Sequence, residues 1–237
     1  VRGMADGLLI LSPRDPEKYV QSLRERGFPY VLIDQKGIED RDPSVTAANR
    51  EGAYKAVRYL TDLGHRRIGF ISGFADADVA KERLAAYVQA LADHNIPFDA
   101  QLVKEGDFLQ PSGHTCGNEL IDLPDPPTAI FASSDMMALG VMDAARARGL
   151  RIPEDLSLIG FDDIPVAAAA HPGLTTVRQP LEDIGRTATE ILLRAIENPD
   201  DPPEAVMVST ELIIRGTTAP VKTLGKKQKA VLQPVRR

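Results

Sequence analysis

Short β-rich runs alternate with helix-like runs along most of this chain. The β-rich runs are nearly continuous apolar segments of five or six residues, and the runs between them carry apolar residues at three- and four-residue spacing. Strands of this kind are buried on both faces, so the alternation predicts βαβ units and a parallel sheet covered by helices. The predicted strands are 7–11, 30–34, 67–72, 102–106, 129–133 and 156–161, and the predicted helices are 17–26, 49–63, 79–94, 112–123 and 135–148.

The pattern changes after Asp163. A run of small residues occupies 166–170, and it is followed by a predicted strand at 174–177, a helix at 181–197 and one last long strand at 206–214. Upstream of that point, Gly27, Gly64 and Gly149 each follow a helical run, at the position where a left-handed C-cap is preferred.

Charge is distributed unevenly along the 237 residues, whose formal net charge is −6. Six of the 28 Lys and Arg lie in the segment 221–237, which contains none of the 34 acids. Residues 1–220 therefore carry a formal charge of −12 and should repel the phosphate backbone of DNA. We interpret 221–237 as a solvated, disordered basic tail.

Signatures of several other protein classes are missing from the sequence. It contains no G-x-S-x-G nucleophile elbow, no G-x-x-x-x-G-K-[ST] phosphate loop and no metal-ligand spacing among its four histidines. The single cysteine, Cys116, cannot form an intrachain disulfide, and no stretch approaches the roughly 18 apolar residues that cross a bilayer. We therefore expect a cytoplasmic protein with no catalytic residue, no metal, no cofactor and no membrane partner.

Polar side chains follow three of the predicted strands. Asp162 comes directly after 156–161, Ser134 and Asp135 follow 129–133, and Ser72 ends 67–72. Ligands of open parallel sheets bind in the crevice beyond the carboxyl ends of the strands, so we expect Asp162 to face a ligand. For Asp135 and Asp163 the simpler interpretation is a helix cap and a turn residue.

Arg83 lies in the first turn of the predicted helix 79–94, beside its apolar stripe and near the strand end at Ser72. A guanidinium there can donate paired hydrogen bonds to two adjacent ligand oxygens, and the Asp162 carboxylate can accept hydrogen bonds from hydroxyls. Such an Asp–Arg pair suits the vicinal diol of a sugar or riboside. On the pattern alone, an exposed helix arginine is the simpler explanation.

Seven segments resemble LacI/GalR-type bacterial transcription regulators, in the same order as in the effector-binding core of that family. Each segment alone is a weak signal, but seven in sequence make the resemblance specific, and it extends from the first residues to about Thr218. The segments are ADGLLILSP (5–13), YLTDLGHRRIGFISG (59–73), ERLAAYVQAL (82–91), PPTAIFASSDMMALGVMDAARARG (126–149), IPEDLSLIGFDD (152–163), HPGLTTVRQP (171–180) and ELIIRGTT (211–218).

The resemblance implies a two-lobed, periplasmic-binding-protein-like (type I) α/β fold, with parallel sheets flanked by helices and a small ligand between the lobes. It assigns 1–63 and 181–208 to the first lobe and 64–177 and 211–220 to the second. The three crossovers between lobes are expected near 63–64, 177–180 and 209–211. Because the chain opens near the family's third strand, we expect an incomplete first lobe.

The resemblance also implies a ligand site. In this family, the residues that match Arg83 and Asp162 contact the effector, which is often a sugar. The residues that match Ser134, Phe108 and Gln179 line the same cleft. The Phe108 ring could stack on the apolar face of a sugar, and simple core packing is the alternative. Ser134 stands where the family often has Asn, which leaves the ligand class open between sugars and related polyols.

In regulators of this type, effector binding closes the lobes and rotates the two first lobes of a dimer, which changes the spacing of the DNA-binding heads. The resemblance places part of the dimer contact on Val166, Ala169, Ala170 and His171, and a compact surface loop is the alternative. It therefore implies a homodimer that reaches operator DNA only through an N-terminal helix-turn-helix, which does not precede Val1 in this chain.

Two other hypotheses stay open on the sequence. A periplasmic sugar-binding protein of a transporter shares the fold and would need a secretion signal or a lipid-anchoring cysteine near the N-terminus, and neither is seen. An enzyme on a doubly wound fold would need a catalytic constellation, and none is found. The sequence segments GHRRIGFI, GFDD and LTTVRQP favour the regulator.

Overall fold

The computed structural model describes residues 3, 5–11, 17–35, 37 and 41–221, and within these residues the chain forms two sheets. In the first sheet, four parallel strands follow the order β1-β2-β3-β9. Helix α1 packs on one face and helix α7 on the other. The predicted basic tail lies outside the described residues from 222 onward. The bounds are β1 Leu8–Leu11, α1 Glu17–Glu25, β2 Tyr30–Ile33, β3 Ser44–Ala47, α7 Leu181–Glu197 and β9 Ala205–Val208.

The second sheet has six strands in the order β10-β8-β7-β6-β4-β5, and only the β10–β8 pairing is antiparallel. Helices α2 and α3 cover one face, and α4 and α5 cover the other. The bounds are α2 Asn49–Asp62, β4 Ile68–Ser72, α3 Asp78–Asp93, β5 Val103–Glu105, α4 Gln110–Ile121, β6 Ala129–Ala132, α5 Asp135–Ala147, β7 Ser157–Asp162, α6 Pro165–Ala169, β8 Thr175–Arg178 and β10 Glu211–Ile213.

Burial on both faces explains why the central strands of the second sheet are apolar at nearly every position. Strands β4 and β6 are buried throughout. Between the sheet and α3, the rings of Tyr87, Phe70, Phe131 and Phe161 form a continuous row with centroids 5.0, 5.4 and 6.4 Å apart. The row ends at Phe161, one residue before Asp162, so the core is continuous with the predicted ligand site.

Three chain crossovers between the sheets meet at one point. They lie between β3 and α2, between β8 and α7, and between β9 and β10. The Thr210 hydroxyl donates to the Ala48 carbonyl oxygen at 3.2 Å, which joins two of them. A Cβ at Gly52 would lie 2.6 Å from Thr210 Oγ1 and 2.8 Å from Val177 Cγ1, so only glycine allows α2 to approach the other two.

The predicted α/β architecture, with parallel sheets flanked by helices, is confirmed. Two details differ from the expectation. Strand β3 was not predicted, and the last long strand is two short strands, β9 in the first sheet and β10 in the second. The lobe boundaries stay a prediction, but α2 packs on the second sheet, which favours a first crossover at Ala48 rather than at 63–64.

Candidate functional site

The carboxyl ends of both sheets face each other across a cleft. Strand β2 of the first sheet ends just before Asp34, and strand β7 of the second sheet ends at Asp162. The Gln35 side chain, which follows Asp34, donates to the Asp78 carboxylate at the start of α3 at 2.6 Å. This contact brings the two lobes together at one side of the cleft.

Arg83 lies buried at the base of the cleft, with 3% of its surface exposed. Its Nε and one terminal nitrogen donate to Asn49 Oδ1 at 3.1 and 2.8 Å, and the other terminal nitrogen donates to the Ser133 carbonyl oxygen at 2.5 Å. The guanidinium carbon lies 3.7 Å from the centroid of the Phe161 ring, a cation–π contact. An exposed helix arginine is therefore not the explanation of Arg83.

Burial lowers the pKa of Arg83 from its usual value, and the carboxylates of Asp162 and Asp34 oppose this effect. The three hydrogen bonds of Arg83 all go to neutral oxygens. Its positive charge therefore acts on the cleft carboxylates through space, and two of its five N–H groups have no hydrogen-bond partner among the described residues.

Asp162, the residue after Phe161, is held by Gln179. Gln179 Nε2 donates to Asp162 Oδ1 at 2.6 Å, and the Gln179 backbone N–H donates to the Asp162 carbonyl oxygen at 3.1 Å. Burial raises the pKa of Asp162, while the charge of Arg83 and the Gln179 hydrogen bond lower it. The structure thus brings together Arg83, Asp162 and Gln179, and their contact with a ligand stays a prediction.

Asp34 is a cleft residue that the sequence analysis missed. Its Oδ1 is shielded from solvent and has no hydrogen-bond partner among the described residues, and the same holds for Gln179 Oε1. Burial raises the pKa of Asp34, and the charge of Arg83 is the largest influence that lowers it. The signal that could have found Asp34 is its place directly after a buried strand, which is the argument that found Asp162.

Phe108 and Ser134 have different roles in the structure. The Phe108 ring lies against Gly73, where it fills the space of a Cβ, and meets the Phe74 ring edge-on at a centroid distance of 5.9 Å. The Ser134 hydroxyl donates to the Phe108 carbonyl oxygen at 3.2 Å and accepts from the Met137 backbone N–H at 3.1 Å. Ser134 therefore caps α5 and holds the backbone of Phe108.

Asp135 lies behind Asp162 and is fully buried. It accepts hydrogen bonds from the Thr176 hydroxyl at 2.5 Å and from the Ile164 backbone N–H at 2.9 Å. Burial raises the pKa of Asp135 to about 7, and the neighbouring charges of Asp162 and Asp163 add to the increase. Asp135 thus fixes the turn after β7, and Ser134 rather than Asp135 is the helix cap.

Asp163 connects the same turn to the strands next to the crossovers. Its carboxylate lies 2.7 Å from Arg178 Nε and 2.7 Å from a terminal nitrogen of Arg215. Asp162 and Asp163 both have positive φ angles, 123° and 60°, which are strained for residues with a Cβ. These contacts hold the strained turn that presents Asp162 to the cleft.

The four predicted dimer residues lie on and just after α6. Val166 is 43% exposed, Ala169 and His171 are exposed, and Ala170 is half-buried. Only Ala167 of this helix is buried against the core.

A second concavity, of about 650 Å³, lies at the far end of the first lobe. It is lined by Arg24 and Arg194, which are paired with Asp42 and Glu204 at 2.6 Å.

In the described part of the chain, no group of three or more His, Cys, Asp or Glu is placed to hold a metal ion. No helix in those same ranges is long and apolar enough to cross a membrane.

Comparison with known proteins places this arrangement in a class. Residues 57–218 match the family of periplasmic binding protein-like domains, so the chain is a binding domain of that fold. The solved structure of a LacI transcriptional regulator from Bacillus cereus subsp. cytotoxis NVH 391-98 is 31% identical, has a TM-score of 0.88, and aligns with 92% of this chain and 77% of its own. The chain belongs to the LacI family of transcriptional regulators, of which it forms the effector-binding core.

Two further relatives are informative. The HTH-type transcriptional repressor CytR of Escherichia coli (strain K12) is 40% identical over 215 residues, which are 90% of this chain and 62% of that protein. The transcriptional regulator CelR, solved in complex with cellobiose, is 37% identical with a TM-score of 0.85, and the match covers 90% of this chain and 66% of that one. The chain thus spans about three fifths of the length of the curated relative.

Proposed function

We propose that this chain binds a sugar or a related polyol between its two lobes and that this binding modulates operator recognition by a LacI-type regulator. The single observation that carries the proposal is the meeting of Arg83, Asp162 and Gln179 at one buried point, although 96 positions separate the first and last of them. Asp34 adds a carboxylate from the other lobe.

The chemistry of these groups suits hydroxyls. A carboxylate accepts hydrogen bonds from hydroxyl groups, and the remaining N–H groups of Arg83 can donate to their oxygens. The Phe108 and Phe74 rings offer apolar surface to the C–H face of a sugar. The cellobiose complex of CelR supports a sugar as the ligand class.

Binding can alter the lobe arrangement because the polar groups come from both lobes. Asp34 follows β2 of the first sheet, whereas Arg83 lies on α3, which packs on the second sheet, and Asp162 ends β7 of that sheet. A ligand that contacts both binds more tightly when the lobes are together, and only such a difference in affinity can shift their equilibrium. The operator is contacted by a helix-turn-helix head, of the kind that names the CytR relative, rather than by this acidic core.

The site assignment is tested with isosteric variants. D-ribose, D-glucose, cellobiose and uridine are screened by thermal shift, and the ligand that raises the melting temperature most is titrated calorimetrically. We expect Asp162→Asn and Arg83→Lys each to weaken binding by about 1–3 kcal/mol, the range for lost hydrogen bonds to charged groups. The matched controls, Asp125→Asn and Arg58→Lys, change side chains that are 85% and 61% exposed.

Unchanged affinity in both cleft variants would contradict the assignment. Far-UV circular dichroism of each variant shows whether a loss of binding reflects a loss of fold.

We also propose that part of a homodimer contact is formed by Val166 and Ala169 of α6 and by Ala170 and His171, which follow it. The exposed residues Val166, Ala169 and His171 leave this surface mostly small and apolar, which permits close approach of a second copy. Ala169→Arg should reduce the dimer fraction measured by sedimentation velocity, whereas Ala147→Arg, at an exposed position of α5, should not. An unchanged dimer in Ala169→Arg would exclude this surface.

A further inference from the structure

The cleft contains buried hydrogen-bond acceptors that lack a donor among the described residues. Asp34 Oδ1 and Gln179 Oε1 are buried acceptors without a partner among the described residues, and Gln179 is only 7% exposed. A buried acceptor without a donor is unfavourable. A ligand that brings O–H groups to both oxygens would supply the missing hydrogen bonds and remove this cost.

The charges around the cleft are predominantly negative. The charge of Asp34 raises the pKa of Asp162, that of Glu82 raises the pKa of Asp34, and the charge of Arg83 lowers both. Asp135, behind Asp162, belongs to the same group of charges. One guanidinium therefore faces several carboxylates.

The other nearby arginines do not change this balance. Arg178 and Arg215 each lie 2.7 Å from the Asp163 carboxylate, so they are bound to an acid outside the ligand-facing set. Arg83 already uses three N–H groups on Asn49 and Ser133. Among these residues, a ligand carboxylate or phosphate would meet only the two remaining N–H groups of Arg83, whose charge already acts on Asp34 and Asp162.

We infer that the effector is a neutral polyol that donates its hydroxyl hydrogens to Asp34 and Gln179, and that the cleft discriminates against the acidic or phosphorylated form of the same molecule. This inference rests on the proposed function, because it specifies the ligand of that same site. At an effective dielectric constant near 20, like charges about 5 Å apart repel strongly enough to lower affinity by roughly 100-fold, and we expect at least about tenfold in a partly solvated cleft.

The experiment compares neutral and acidic molecules of matched shape. The pairs are D-ribose with ribose 5-phosphate, D-glucose with D-glucuronate, cellobiose with cellobionate, and uridine with uridine 5′-monophosphate. Each is titrated calorimetrically against the wild type, Asp34→Asn and the exposed control Asp125→Asn, at a pH of about 8, where ordinary carboxylates are ionised.

We expect the neutral member of the best pair to bind at least about tenfold more tightly than its acidic partner. Asp34→Asn should weaken the binding of the neutral ligand, because it puts an N–H donor where an acceptor was. It should also reduce the ratio of the neutral to the acidic ligand's affinity, because it removes a negative charge. The control should change neither value. Asp162→Asn provides a second test of the narrowed ratio if Asp34→Asn alters the melting temperature.

An acidic member that binds as tightly as its neutral partner, or more tightly, would overturn the inference and leave the effector site in place. A ratio that stays the same in both Asn variants would also overturn it. Failure of every neutral and acidic probe to bind the wild type would instead overturn the proposed sugar or polyol function, and the inference with it.

Discussion

We expect the substitution Asp135→Asn to become more favourable for stability as the pH rises. The free energy of unfolding of the variant minus that of the wild type should be larger at about pH 8 than at about pH 5. Asparagine keeps the shape of the side chain and both hydrogen bonds: its Oδ1 can accept from the Ile164 N–H, and its Nδ2 can donate to the Thr176 hydroxyl oxygen. The substitution therefore removes one buried charge and little else.

The magnitude follows from the pKa of Asp135, which burial raises from 3.8 to about 7. In the unfolded chain the carboxyl loses its proton near its ordinary value, whereas the folded chain retains the proton up to about pH 7. Between these values the folded state binds more protons, so its stability falls as the pH rises. At about 1.4 kcal/mol per pKa unit, the full loss in the wild type is roughly 4 kcal/mol, and the Asn variant lacks it.

The free energy of unfolding of both proteins is measured by urea denaturation, followed by circular dichroism, at about pH 5, 6, 7 and 8. We expect the stability difference to shift in favour of Asp135→Asn by about 2–4 kcal/mol across this range. Asp125→Asn, at a position whose side chain is 85% exposed, serves as the control and should follow the wild type. A difference that stays constant with pH, or that shifts in favour of the wild type, would refute the account of Asp135.

Three further outcomes are expected. Gly140→Ala should destabilise the chain by about 2–3 kcal/mol in urea denaturation, because the new Cβ would lie 2.5 Å from a backbone nitrogen of α4, whereas Gly185→Ala, with nothing within 4 Å, should not. Asn49→Ala should cost about 1–3 kcal/mol of stability, because two Arg83 nitrogens lose their shared acceptor, and thermal melts will show whether it does. Cys116, 5% exposed and with its pKa raised by burial, should react with a thiol reagent far more slowly in the folded chain than in urea.

Most of the second sheet could be predicted from the sequence because its central strands β4, β6 and β7 are apolar at nearly every position. Strand β3, Ser44–Ala47, escaped because a four-residue Ser-Val-Thr-Ala segment after a proline has no apolar run to distinguish it. Its partners in the sheet bury it, and that contribution is tertiary.

The last strand shows a different limit of sequence patterns. Residues 206–214 have continuous β-forming character with no glycine or proline to divide them, yet the chain passes from one sheet to the other at Ser209 and Thr210. The division is fixed by the Thr210 hydrogen bond to Ala48, a residue 162 positions away. No local pattern contains that information.

The site was predictable where a polar residue directly follows a buried strand, and less so where one side chain positions another. Asp162 fits the first case. Asn49 fits the second case. Its role is to accept two hydrogen bonds from Arg83 of α3, and nothing in its own sequence neighbourhood indicates that contact. Ser134 was expected to line the cleft, which stays a prediction, and its hydroxyl is already used by Met137 and Phe108.

The turn at Asp162 and Asp163 connects the ligand site to the chain crossovers. Gln179, beside the second crossover, holds Asp162 with two hydrogen bonds, and Arg178 of β8 pairs with Asp163. A ligand hydroxyl that bound Asp162 would therefore contact a turn whose other contacts lie beside the second crossover.

The Gln35–Asp78 hydrogen bond joins the lobes through the chain's own side chains, so a ligand has to add a further difference in energy between open and closed arrangements. Contacts with Arg83 and Asp162 alone would add none, since both residues belong to the second lobe and move together. Among the described residues, Asp34 offers such a difference, through ligand contacts that form only when it is close to Arg83 and Asp162. A small molecule that reaches Asp162 but not Asp34 should consequently bind without closing the cleft.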